Sequence, residues 1–122
     1  MATPTAEIGC AGERAATDFL RARGYQILDL NWRNGHYELD IVAEYEGILH
    51  LVEVKTRRAQ SLTTPEEAIT THKFRSLSRA AKLYVAYIGW QGEVQFDLAA
   101  VERLPDGQMQ VELIENAMEY NW

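Results

Sequence analysis

Two runs that alternate in polarity, residues 37–45 (YELDIVAEY) and 48–56 (ILHLVEVKT), flank Glu46-Gly47, and no other stretch constrains the fold as strongly. A period of two in Ile-, Leu-, Val- and Tyr-rich segments is a strand signal, and a short Gly-containing turn between them predicts a β-hairpin. If Tyr45 faces Ile48, or a four-residue loop lets Glu44 face Leu49, facing residues have numbers summing to 93. That register sets Asp40 opposite Glu53 and Glu38 opposite Lys55, all four on one face. The other face then carries Leu39 opposite Val54, Ile41 opposite Val52 and Ala43 opposite His50.

Facing carboxylates are a liability. Opposed Cβ atoms lie roughly 5 Å apart, and a favourable cross-strand pair returns only about 0.2–1 kcal/mol. Two like charges at that distance repel by about 1 kcal/mol in water and about 3 kcal/mol at an effective dielectric near 20. A divalent cation between Asp40 and Glu53 would turn the repulsion into binding, because hard cations take carboxylate oxygens. The plainer alternative is a solvated strand end whose acids are balanced by Lys55, Arg57 and Arg58.

The 122 residues, 47% of them hydrophobic, suffice for a single domain spanning 1–122 with its own core. Cys10 is the only cysteine, so no intrachain disulfide forms. The opening MATPTAEIGCAGER lacks the basic segment and apolar run of a secretory signal, and no stretch nears the roughly 18 apolar residues of a membrane span. A soluble, cytoplasmic protein without a membrane partner is expected. The net charge of −6 does not exclude nucleic acid, because residues 90–122 hold seven acids against Arg103, which accounts for all of it. Residues 55–82 hold seven bases against Glu66 and Glu67, a local +5.

Around the hairpin, residues 5–23 read as a helix through Ile8, Gly12, Ala15, Phe19 and Ala22, with Gly24 just past its end. At 100° per residue Glu13 lies about 20° beyond Leu20, on the rim of the apolar stripe. Residues 25–33 read as a strand with Tyr25, Ile27 and Trp32 inward, and Asn34-Gly35 as a turn. Thr64-Pro65-Glu66-Glu67 is a capping box. A second helix over 72–88 buries Phe74, Leu77, Ala81, Tyr84 and Ile88, and carries a basic stripe of Arg75, Arg79 and Lys82. Residues 93–101 form a fourth strand and 108–114 a fifth. His36, His50 and His72 show no metal-ligand spacing.

The order α-β-β-β-α-β, with Asp40 followed after twelve residues by Glu53-Val54-Lys55, resembles the PD-(D/E)xK nuclease-like fold. The match is closer to the YraN family (UPF0102), itself similar to archaeal Holliday-junction resolvases. It rests on Gly9-x-x-Gly12-Glu13-x-x-Ala16, Gly24-Tyr25-x-Ile27-Leu28, Asn31-Trp32-Arg33 and Glu38-Leu-Asp40-Ile-Val-Ala43. Val52-Glu-Val-Lys-Thr-Arg57, Pro65-Glu-Glu-Ala-Ile69, Lys73 with Leu77, Ala80-Ala81 and Tyr84, and Phe96-Asp97 complete it. The chain departs at Tyr37 and at Thr63-Thr64, where the family tends to have Gly, and at Gln95, where it tends to have Arg. The first two bear on loop shape and substrate access; the third takes away a phosphate contact.

The resemblance implies an α/β fold with a restriction-endonuclease-like αβββαβ core, a mixed central sheet flanked by helices. It also implies a metal-dependent endonuclease acting on DNA rather than RNA, at branched or junction-like structures. Asp40, Glu53 and the Val54 carbonyl would bind Mg²⁺ or Mn²⁺, with Glu13 as an outer ligand, Lys55 beside the attacking water and Glu38 positioning Lys55. Arg57, Arg58, Lys73, Arg75 and Arg79 would hold the nucleic-acid backbone without reading its sequence. Cutting two strands symmetrically would favour a homodimer. Two other readings compete: a nuclease fold that binds nucleic acid without hydrolysing it, and a protein–protein adaptor using the acidic tail with Met118, Tyr120 and Trp122.

Overall fold

A computed structural model describes residues 4–58 and 71–117. The elements run α1 (Pro4–Ala22), β1 (Gln26–Asn34), β2 (Tyr37–Tyr45), β3 (Ile48–Arg58), α2 (Thr71–Ile88), β4 (Val94–Arg103) and β5 (Met109–Ile114). This is the expected αβββαβ order with the fifth strand appended. The five strands make one sheet in the order β1-β2-β3-β4-β5, antiparallel except for the parallel β3/β4 pair. A parallel pair needs a crossover, which α2 supplies. The capping box at 64–67 and the tail residues Met118, Tyr120 and Trp122 lie outside the described residues.

The hairpin forms as the sequence predicts. Glu46 and Gly47 both take positive φ, 52° and 78°, the pattern of a type I′ turn, and Tyr45 faces Ile48. Helix α1 ends in a Schellman motif: the Gly24 N–H bonds the Arg21 carbonyl and the Tyr25 N–H the Leu20 carbonyl, both at 3.0 Å. Gly24, at φ 92°, supplies the left-handed residue this motif requires.

Alternation along the strands builds a core on each face. On one, Leu77, Ala80, Ala81 and Tyr84 of α2 pack on Val42, Leu49, Leu51 and Phe96. On the other, Ala16 and Leu20 of α1 pack on Ile41, Ala43, Val52, Val54, Ala99 and Val101. The α1 stripe is therefore Gly12-Ala16-Leu20, turned slightly from the expected one, and Ala22 is exposed. Ile88, expected in the buried stripe of α2, is also exposed, because it is the last residue of the helix.

Candidate functional site

Asp40 is where the hairpin departs from the register extrapolated from its turn. The β2/β3 ladder runs from Tyr45↔Ile48 to Ile41↔Val52, and the expected facing of Asp40 with Glu53 and Glu38 with Lys55 is not part of it. On its other side β2 pairs Ile41 with Leu30 and Leu39 with Trp32, skipping Asp40 and Asn31. Asn31 sits at φ 51°, left-handed backbone that Asn tolerates better than most residues. Leu39 and Val42, three apart, both join the core under α2, so the alternation of side chains breaks once between them. Leu39 is thus not in the α1-side core opposite Val54. In an unbroken ladder the Val54 N–H would bond the Leu39 carbonyl. Here it donates to Asp40 Oδ2 at 2.9 Å, and a carboxylate ends the pairing.

One residue further back on β3, Glu53 follows Leu51 onto the α2 side and is only 4% exposed. Lys73 Nζ from α2 stands 3.2 Å from its carboxylate and Lys55 Nζ 3.9 Å. Burial, and then the charge of Asp40, push the Glu53 carboxyl up to about 7, against the downward pull of both lysines. Lys73, assigned from sequence to the phosphate-binding set, is turned onto Glu53. Glu38 has its ion pair with Arg33 at 3.6 Å, its partner across β1/β2, instead of with Lys55.

Glu13 reaches the same region from α1. A Cβ added at Gly12 would collide with the Thr56 side chain, so a glycine lets α1 lie directly on β3 beside Lys55. Burial raises the Glu13 carboxyl above its ordinary value; a hydrogen bond with Asn31 opposes this, and the charges of Asp40 and Glu38 add to it. Glu13 lines two clefts. One of about 270 Å³ includes Cys10, Thr17, Asn31 and Asp40, and one of about 370 Å³ includes Val54, Lys55, Arg57 and Arg58. Arg75 and Arg79 are exposed on α2, and Arg79 donates to the Tyr37 hydroxyl at 3.4 Å.

Glu13, Asp40 and Glu53 do not bring three donor atoms within 4.8 Å of one another. Among the described residues the group that does is His50, Asp97 and Glu115, which sequence spacing did not reveal. His50 Nδ1 and Asp97 Oδ2 lie 2.7 Å apart, with both side chains buried. Gln95 Nε2 and the Asn116 N–H donate to Asp97 Oδ1 at 2.8 and 3.0 Å. Gln95, read from sequence as a lost phosphate contact, has its amide on this acid.

Fold and site together define a class: a mixed α/β protein in which β2 and β3 part around two acids and a lysine, with Glu13 of the N-terminal helix bearing on Asp40. Residues 12–101 match the uncharacterised protein family UPF0102, and the chain belongs to that family. A UPF0102 protein of Symbiobacterium thermophilum is 46% identical over 111 residues, covering 90% of this chain and 94% of that one. One of Bacteroides thetaiotaomicron is 45% identical over 95 residues, 78% of each chain, and one of Cytophaga hutchinsonii 36% identical over 107, covering 86% and 95%.

Proposed function

We propose that the chain is a divalent-metal-dependent endonuclease that hydrolyses phosphodiester bonds in DNA, with branched or junction-like structures as substrates. One observation carries the reading: a buried carboxylate, Glu53, is held beside a second acid, Asp40, at the point where two strands part, with two lysine ammonium groups drawn to it. Ionising Glu53 there is unfavourable without added positive charge, and an all-oxygen donor set suits Mg²⁺ or Mn²⁺. The residues present therefore fit such an ion, which Asp40, Glu53 and the Val54 carbonyl would hold, with Glu13 as an outer ligand. Bound there, the ion would polarise the scissile phosphate and acidify a water molecule. Lys55 would orient that water and offset charge growing on the phosphorane-like transition state. Arg57, Arg58, Arg75 and Arg79 hold the backbone, and symmetric cutting of two strands calls for a homodimer. Among the described residues no helix is long and apolar enough to cross a membrane.

The test pairs calorimetric Mn²⁺ titration with cleavage of junction DNA. The parent protein binds Mn²⁺ and cuts; Asp40→Asn and Lys55→Ala keep the fold, judged by circular dichroism, and lose cleavage. Because the ion requires ionised Glu53, Mn²⁺ affinity falls as pH drops through about 7. Equal cleavage by parent and variants removes these residues from the chemistry. Salt-sensitive DNA binding without turnover in any divalent ion would instead make the chain a nucleic-acid-binding module.

A further inference from the structure

The opposite end of β3 carries a second constellation. His50 lies three residues before Glu53, about 10 Å along the strand, and on the other face, where Tyr25, Tyr45 and Val52 belong to the α1-side core. The parallel pairing of β3 with β4 sets Gln95 beside His50 and Asp97 beside Val52, and the chain leaving β5 brings Glu115 over them. One imidazole nitrogen and two carboxylates thus lie within 4.8 Å of one another, two of the three side chains buried and the third exposed.

We infer that His50, Asp97 and Glu115 form a binding site for one first-row divalent transition-metal ion of the Zn²⁺ type, which clasps the segment after β5 to the sheet. The donor set is right: an imidazole with two carboxylates is zinc chemistry, and three protein ligands leave a fourth position for water. The support is right as well. Gln95 and the Asn116 N–H both bond Asp97 Oδ1, which leaves Oδ2 turned toward His50 and fixes the plane of the carboxylate, as outer partners do in metal sites. Charge also calls for a cation. Among the described residues no Lys or Arg pairs with Asp97 or Glu115, and the only bridge between these two acids is the Gln95 amide, at 2.8 Å and 3.5 Å. A divalent ion takes the place of the proton between His50 Nδ1 and Asp97 Oδ2, which is released to solvent, and has the exposed Glu115 carboxylate as its third ligand. Entry is from the Glu115 side.

The experiment uses the full chain, stripped with a chelator and titrated with Zn²⁺ by calorimetry and with Co²⁺ by visible absorption. One equivalent binds at this site, Co²⁺ shows the ligand-field bands of a low-coordinate nitrogen–oxygen site, and Zn²⁺ displaces it. His50→Ala and Glu115→Gln each weaken binding at least tenfold, and Asp40→Asn leaves it unchanged, which separates this site from the one at Glu53. Thermal melts rise with added Zn²⁺ in the parent and not in Glu115→Gln. Glu115 is exposed, so its variant folds even where His50→Ala does not. Absence of saturable Zn²⁺ or Co²⁺ binding, or binding indifferent to Glu115→Gln yet lost in Asp40→Asn, overturns the inference.

Discussion

Glu53 and Asp97 are both acids buried in the middle of one sheet, and they are accommodated in opposite ways. Asp97 is surrounded by donors built into the fold: an imidazole, an amide and a backbone N–H, at 2.7, 2.8 and 3.0 Å. Glu53 is surrounded by charges on long stems, from Lys73 and Lys55, whose side chains are 40% and 39% exposed, and it has a second acid for a neighbour. Fixed dipoles orient a carboxylate; lysine head groups only neutralise it and can move away. The first arrangement specifies geometry, and the second keeps a charge available for exchange with another cation.

The contrast can be broken by substitution. Asp97→Ala leaves the buried His50 imidazole, the half-buried Gln95 amide and the Asn116 N–H without their acceptor. It should cost roughly 3–5 kcal/mol in a urea melt, the range for removing one partner of a buried pair. A loss under about 1 kcal/mol would mean that the donors find other acceptors. Glu53→Gln should act in the other direction. The Glu53 carboxyl is raised, so between its unfolded value and about 7 the folded chain holds a proton that the unfolded chain has released, and stability falls as pH rises. Above pH 7 the full penalty of the buried charge is present. Glu53→Gln should therefore stabilise the protein by roughly 1–3 kcal/mol at pH 8 and by almost nothing at pH 4. A pH-independent effect would locate the cost in packing. The smallest effect belongs to Asp40→Asn, which keeps an oxygen for the Val54 N–H. Stability should change by under about 1 kcal/mol, while an NMR titration should show the Glu53 carboxyl shifted toward its ordinary value.

Much of the fold was legible because it rests on local pattern. Alternation and the Glu46-Gly47 turn gave the hairpin and its register; Gly24 marked the end of α1; the stripe over 72–88 gave α2. The break at Asp40 was not extrapolated, although Asn31 in mid-strand was a cue, being among the few non-glycine residues that accept a left-handed backbone. Missing it placed Leu39 on the wrong face and Glu38 opposite Lys55. At the candidate site, the nearness of Asp40, Glu53 and Lys55 followed from strand spacing, whereas Lys73 turning onto Glu53 did not. The His50–Asp97–Glu115 group could not be read at all. Its members meet through the parallel β3/β4 pair and the chain beyond β5, and non-local pairing leaves no spacing signature. The one trace was an acid set between two large apolar residues, Phe96-Asp97-Leu98.

Asp40 holds two offices at once. Its oxygen terminates a backbone ladder, and its charge bears on a buried neighbour. Architecture alone would select for this residue, so relatives that retain an acid at the same place need not be enzymes for that reason. An amide is the discriminating replacement: it preserves the mason's work and discards the chemist's.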